Sequence, residues 1–339
     1  MTGTRVRFPL AFLAFILAGC GPLEDLRERL EPDLTPPVLE GLRVRECWLE
    51  LDFTEAPVCS PEEVRVLPEL AVSELQVLDR ELRIAFPAQV PGLKYTAELA
   101  VADGHGNRLE FTADFYGWNP RAPSVLINEF TTRGSDTHPD LVELVAASPG
   151  DMAGVTLCQG TAGSWDDRFV FPSFPIRTGQ FLLVHFKPQG IPDELDEPGD
   201  SGLSGGLDAS PTAFDFWVPG GRGLSGNNGV LAVYDRPGGV LADGVLYSNR
   251  TSASDSQYRG FGSAGTLARA EELVREGGWL AAQGEVRPED AVDIEPTTAT
   301  RSLNRSSGSD DTNCPADWHV VPTRGSTFGT ANSDERYVP

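Results

Sequence analysis

Hydrophobic positions recur at every second residue from Val38 to Trp118. Leu42, Val44, Glu46, Trp48 and Glu50 alternate with Arg43, Arg45, Cys47, Leu49 and Leu51, and Leu82-Arg83-Ile84-Ala85-Phe86 repeats the pattern. Residues 95–102 and 108–115 read as two further strands around the tight turn Asp103-Gly104-His105-Gly106-Asn107. The pattern pauses at residues 119–123, where two prolines make a short stiff linker, and then resumes in short runs: 124–130, 140–145, 154–157, 169–171, 179–184, 229–235 and 240–247. One stretch has a helical period instead. Leu267, Ala270, Leu273 and Val274 share one face, Glu271, Glu272, Arg275 and Glu276 lie opposite, and Gly277-Gly278 stops the run. The predicted class is all-β with a single helical insertion.

Composition agrees with that pattern and narrows the function. With 36 glycines and 27 prolines in 339 residues, the chain favours many turns between short strands over long helices. An apolar fraction of 40% and a charged fraction of 23% exclude a wholly disordered chain and a multi-span membrane protein. At roughly 150 residues per domain the length allows about two domains. The net charge of −23 sets the field of the whole chain against nucleic acid and acidic lipid, so neither is expected as a partner.

The first residues read as an export signal. Arg5 and Arg7 precede the uncharged run Phe8 to Ala18, which reaches only about 16 Å as a helix against a hydrocarbon core of roughly 30 Å. Leu17-Ala18-Gly19-Cys20 matches the lipobox of bacterial lipoproteins. That resemblance implies cleavage after residue 19, acylation (diacylglyceryl and palmitate) of Cys20, and a membrane partner reached through lipid, since several acyl chains anchor where one is marginal. Gly21 in place of Asp is similar to the pattern sent to the outer membrane, and the expected location is the bacterial cell envelope. Residues 20–36 form a polar tether in which Leu23, Leu26 and Leu30 have helical spacing, ended by Pro36-Pro37. Export to an oxidising compartment favours disulfides, with Cys47 to Cys59 and Cys158 to Cys314 as the expected pairing and four buried thiols as the alternative. Neither pair is a CxxC, which weighs against redox catalysis and zinc.

Beyond the tether the chain carries two further resemblances. Thr35-Pro36-Pro37-Val38, Gly92-Leu93-Lys94-Tyr95-Thr96 and the Asp103–Asn107 turn resemble the bacterial Ig-like domains of surface proteins, over 37–118. Residues 124–335 resemble the lamin-tail domain in the order of their elements. That order runs through 124–130, 140–145, 154–157, 169–171, 179–184, 229–235 and 240–247 to Arg301-Ser302-Leu303-Asn304-Arg305, Asp317-Trp318 and Pro322-Thr323-Arg324-Gly325. Both families imply Ig-like β-sandwiches, so the expectation is two in tandem, the second enlarged by insertions at about 187–226 and 248–300. Long insertions in a compact domain are where function concentrates. Within the first, Phe214, Phe216 and Trp217 alternate like a strand and, with Trp279, form the expected ligand-contact patch.

Other candidate chemistry is weaker. Gly221-x-Gly223-x-x-Gly226 lacks the following helix that a dinucleotide site needs, and Gly202-x-Ser204-x-Gly206 lacks the strand and helix of a nucleophile elbow. His105, His138, His185 and His319 each stand alone in sequence. The acidic groups 193–200 and 310–311 lack the spacing of a calcium loop, and Glu129 and Glu143 read as structural carboxylates that need hydrogen-bond partners if buried. No cofactor, metal or catalytic set is expected. The sequence therefore points to a non-catalytic binding or scaffold module of the cell envelope with a protein or glycan ligand, the alternative being a metal-dependent hydrolase or nuclease-associated accessory protein.

Overall fold

The computed structural model describes residues 33–251, 254–282, 284–307 and 311–339. The expected signal peptide, the lipidation site Cys20 and the tether up to residue 32 lie outside the described residues. The architecture is nearly all β, as the alternation predicts.

The first unit has seven strands: β1 (Leu39–Arg45), β2 (Trp48–Phe53), β3 (Val64–Leu67), β4 (Glu74–Leu78), β5 (Glu81–Ala85), β6 (Lys94–Ala102) and β7 (Arg108–Tyr116). They form a four-stranded sheet, β1-β2-β5-β4, and a three-stranded sheet, β3-β6-β7. Leu49, Leu51, Phe53, Leu82 and Ile84 from one sheet and Val66, Ala97, Leu99, Val101 and Phe115 from the other enter a single core. The run read as continuous from Leu42 to Leu51 is a hairpin, turning at Glu46-Cys47 with Glu46 at φ +51°. The two-residue turn pairs Val44 with Leu49 and Leu42 with Leu51, so the inward set passes from even to odd positions, a phase change that reading the run as one alternation overlooks.

The second unit holds β8 (Val125–Thr131), β9 (Leu141–Ala146), β10 (Gly150–Asp151), β11 (Thr156–Gly160), β12 (Trp165–Val170), β13 (Pro175–Ile176) and β14 (Phe181–His185). After them come β15 (Phe214–Trp217), β16 (Asn228–Tyr234), β17 (Leu241–Ser248), helix α1 (Ala264–Arg275), β18 (Val292–Asp293), β19 (Leu303–Arg305) and β20 (Trp318–Val320). Two large sheets, β15-β14-β9-β8-β19-β20 and β12-β11-β16-β17-β18, share one core. A buried ion pair crosses between them: Arg305 on β19 lies 2.7 Å from Asp243 on β17 and donates to the carbonyl of Ile127 at 2.8 Å. Burial pushes the Asp243 carboxyl up to about 6, against the pull of the Arg305 charge.

The helix forms where its period predicts. Ser263 caps it, its hydroxyl accepting from the Thr266 N–H at 3.1 Å. Ala270 and Leu273 are buried in the shared core. Gly244 on β17 makes room for Leu273, since a Cβ there would come 2.4 Å from the Leu273 Cδ1 atom. Arg269 forks onto Asp166 at 2.6 and 2.8 Å, fixing the helix to the β11–β12 hairpin.

The far face of the six-stranded sheet is covered as well. Val142, Leu144 and Ala146 of β9 join the main core, so Leu141, Glu143 and Val145 point the other way. On β8 a bulge at Asn128 shifts the phase, so that Ile127 and Phe130 both reach the core and Glu129 falls opposite Glu143. Both carboxylates have no solvent exposure. The C-terminal segment supplies part of their hydrogen bonding, and Ser302 and Asn128 the rest. Glu129 accepts from the Thr327 N–H and hydroxyl at 3.0 and 2.6 Å and from the Ser302 hydroxyl at 2.5 Å. Glu143 accepts from Asn128 at 2.6 Å and from the Gly329 N–H at 2.5 Å. Burial raises both carboxyls, Glu143 to about 8, with the facing Glu129 adding to the rise.

The units meet in a close junction rather than across an open linker. Asn119 donates to the carbonyls of Asp151 and Ala153 at 2.6 and 3.0 Å, and Arg236 donates to the Val44 carbonyl. Gly92 (φ +72°) and Gly154 (φ +85°) bring their backbones together so closely that a Cβ on Gly92 would lie 2.6 Å from the Gly154 nitrogen.

The expected disulfides are not formed; Cys47, Cys59, Cys158 and Cys314 are thiols. Cys47 sits at the hairpin turn whose carbonyl takes the Gln89 amide, and Gln89 also holds Trp118 just beyond β7. Cys59 follows Val58, which bridges Ala102 at the opposite end of β6. The seven residue steps from Tyr95 to Ala102 span roughly 24 Å, far beyond disulfide reach. Cys158 is buried in β11, where desolvation pushes its thiol up to about 12, while Cys314 lies against the Thr312 hydroxyl at 3.1 Å.

Three outcomes are expected. Gly244→Ala should cost about 1–3 kcal/mol in denaturant unfolding, partly recovered when combined with Leu273→Ala, because the added methyl meets that side chain. Alkylation of the unreduced, unfolded protein should label Cys47, Cys59, Cys158 and Cys314 in mass spectra; an intact crosslink would contradict the arrangement of strands. Because Glu143 keeps its proton to higher pH when folded than its ordinary 4.5, its stabilising contribution is full below about 4.5 and lost as pH rises towards 8. The unfolding free energy should thus fall across that window by up to about 1.4 kcal/mol per pH unit, with Glu129 acting in the same direction, and Glu143→Gln should flatten the dependence.

Candidate functional site

Both insertions and the C-terminal segment converge at the end of the six-stranded sheet. There they bound a cleft of about 460 Å³, lined by Thr131, His138, Pro139, Leu141, Asp208, Ala209, Ser210, Pro211, Ala299, Thr300, Arg324, Ser326 and Phe328. Each wall is held from behind. Asp140, buried at the start of β9, accepts from the Gly134 and Leu224 N–H groups at 2.6 and 2.9 Å, fixing the loop that carries His138. Burial raises the Asp140 carboxyl above its ordinary value. The Ser210 N–H donates to Asp215 at 2.9 Å, and Thr212 donates to the Gly329 carbonyl at 2.8 Å, joining the first insertion to the C-terminal segment. Phe328 packs with Leu141, Leu183 and Ala213 as the apolar floor.

The polar inventory of the cleft is uneven. His138 Nδ1 lies 3.0 Å from Asp208 in a solvent-exposed pair. Arg324 forms no ion pair or side-chain hydrogen bond among the described residues. The Thr131 hydroxyl is buried, with the residue only 4% exposed, and has no hydrogen-bond partner. Two residues lining the cleft, Asp208 (φ +57°) and Arg324 (φ +65°), adopt left-handed backbone that non-glycine residues rarely take.

The residues singled out from sequence are distributed differently. Phe214, Phe216, Trp217 and Trp279 do not form a contact patch. Phe214, Phe216 and Trp217 make up β15, an added parallel strand beside β14, and all four side chains are at most 6% exposed. Phe216 packs edge-on to Phe171 at 5.0 Å and Trp217 stacks on His185 at 3.8 Å, so their alternation records a sheet buried on both faces. His185 and Asp215 form a 2.7 Å pair with no solvent exposure, and His185 Nδ1 has no partner. Among the described residues no hydroxyl or thiol is hydrogen-bonded to that imidazole, which is sealed from solvent. The acidic residues of 193–200 hold backbone instead of a cation: Glu197 accepts from Leu203, Ser204 and Asp215, and Glu194 from Gln189 and Gly190. Asp310 lies outside the described residues. The sequon asparagines Asn249 and Asn304 are buried and hydrogen-bonded.

One set of potential metal ligands occurs among the described residues, Asp33, Asp103 and His105 in the first unit. Asp103 is already committed to its turn, accepting from His105 and Asn107 N–H groups at 2.8 Å each and from the Asn107 amide at 2.7 Å. Sequence reading passed over Thr131, His138, Asp208 and Arg324 as a group. His138 and Asp208 are 70 residues apart, and only the Pro322–Gly325 motif drew notice to Arg324.

Comparison with known proteins adds kinship without chemistry. An uncharacterized protein of Treponema pallidum (strain Nichols) is 28% identical over 142 residues, covering 41% of this chain and 35% of the relative, so the match spans about a third of that protein. A crystal structure of a DUF4876 family protein from Bacteroides thetaiotaomicron VPI-5482 is similar at a TM-score of 0.30 and 10% identity, over 77% of this chain and 88% of the other. Residues 123–320, which run from the end of the linker through β20, match the family described as the TP_1001 protein second domain. The chain belongs to that family of bacterial domains.

Proposed function

We propose that this protein is a non-catalytic recognition module of the bacterial cell envelope, anchored through Cys20 and binding its ligand in the cleft between Thr131, Asp208 and Arg324. The observation that carries the reading is the convergence, in one open cleft, of an unpartnered buried hydroxyl, an unpaired guanidinium and an apolar floor, all braced by buried carboxylates. Such preorganised walls lower the ordering cost of binding. The lipobox at 17–20 and the tether support envelope anchoring, with the outer membrane as the site. The first unit, whose two facing sheets fit a bacterial Ig-like spacer, would hold the second away from the lipid; the order of elements in the second fits a lamin-tail kinship. A hydrolytic role has less support, since the His185–Asp215 pair of the second unit is sealed from solvent and, among the described residues, no hydroxyl or thiol is hydrogen-bonded to its imidazole.

Two measurements test this. In the full chain, Cys20→Ala should move the protein from the membrane fraction to the soluble fraction. Residues 21–339 immobilised as bait should retain a peptide or glycan component of envelope extract, and Ala209→Trp, which fills the cleft whatever the ligand, should reduce that retention at least about tenfold. Equal retention by the two baits would overturn the cleft as the binding site.

A further inference from the structure

Resting on that reading of the cleft, we propose that the ligand group it recognises is the free carboxyl terminus of a peptide ending in an aliphatic residue. The charged residues lining the cleft are His138, Asp208 and Arg324. Asp208 is hydrogen-bonded to His138 at 3.0 Å, and Arg324, which has no ion pair among the described residues, is the cleft's cation left to meet an anion. Other carboxylates nearby are committed to protein donors: Asp140 to Gly134 and Leu224, Glu129 to Ser302 and Thr327, and Glu143 to Asn128 and Gly329. One guanidinium matches one carboxylate in charge and in its two-pronged geometry, where a phosphate dianion would leave charge uncompensated.

The second observation is the Thr131 hydroxyl, 4% exposed and without a partner. A buried hydroxyl left unsatisfied costs free energy, which a ligand oxygen recovers on binding. The remaining surface selects what adjoins the carboxylate. Pro139, Leu141, Ala209, Pro211 and Phe328 offer hydrocarbon, which suits an aliphatic side chain and not the hydroxyl-studded ring of an acidic sugar. The left-handed backbone at Arg324 is held by its own N–H, which donates to the Thr300 carbonyl at 2.7 Å, so the guanidinium is presented from a fixed turn. The acidic field of the whole chain gives no long-range help to an anion, so recognition rests on these local contacts.

The test uses residues 21–339 and small probes followed by ligand-observed NMR titration. N-acetylglycyl-leucine should bind saturably, and its C-terminal amide at least about tenfold more weakly, as expected for loss of a charge-assisted pair. Arg324→Gln should weaken the acid about tenfold or more and leave the amide unchanged; Arg324→Gly, which suits the φ of +65°, should do the same while keeping the turn. Thr131→Val should weaken the acid by roughly three- to tenfold without lowering Tm, since no protein hydrogen bond is lost. Equal binding of acid and amide would overturn carboxylate recognition. Saturable binding of glucuronate in preference to the peptide acid would overturn the peptide class. Absence of acid binding overturns this inference alone if Ala209→Trp still abolishes capture of the envelope component, and the cleft itself falls if it does not.

Discussion

A β-sheet buried on both faces must satisfy every polar group it carries, and in this protein that requirement falls on two glutamates facing one another across β8 and β9. Glu129 and Glu143 have no contact with water, yet each accepts hydrogen bonds from the C-terminal segment. Without Thr327 and Gly329 in place, Glu129 would keep only the Ser302 hydroxyl and Glu143 only the Asn128 amide, leaving buried acceptor oxygens unsatisfied at a cost of about 1–3 kcal/mol each. The segment is thereby fixed in position by the sheet it covers. Its course then decides where Arg324, Ser326 and Phe328 lie, and so where the cleft opens.

The first insertion is held by the same logic. Glu194, Glu197, Asp196 and Asp215 spend their oxygens on backbone N–H groups of a stretch with little regular structure. Irregular chain has no ladder to pair its amides, and carboxylates are the strongest acceptors available to replace one. A glycine- and aspartate-rich loop that reads as solvent-facing is therefore a rigid lid over His185, Leu183 and Trp217. The acidic balance of the chain has a structural use here, quite apart from any effect on partners.

Rigidity extends across the junction. Asn119 bonds the linker to the start of the second unit, and paired glycines at 92 and 154 let the two backbones touch. A cleft at one end of the second unit is then carried on a stiff two-unit body. The arrangement also explains why the helix, clamped to β11 and β12 through Arg269, Thr161 and Glu272, is part of the body and not a movable lid.

Much of the architecture was legible along the chain. Alternation every second residue gave the strands, proline pairs gave the boundaries, and the spacing of Leu267, Ala270 and Leu273 gave the helix, because each signal is local and set by backbone geometry. Alternation could not tell a strand exposed on one face from one covered on both, and Phe214, Phe216 and Trp217 were misjudged as surface for that reason. Nor could it register the bulge at Asn128, which reverses the faces of β8 and puts Glu129 against Glu143. Cysteine counting suggested two bridges; the length of β6 separates Cys47 from Cys59, and none of the four cysteines is paired. The cleft was decided only in three dimensions: Thr131, Asp208 and Arg324 come from segments far apart in sequence, and what makes them notable, a hydroxyl and a guanidinium without partners beside a carboxylate held by His138, is a property of what surrounds each after folding.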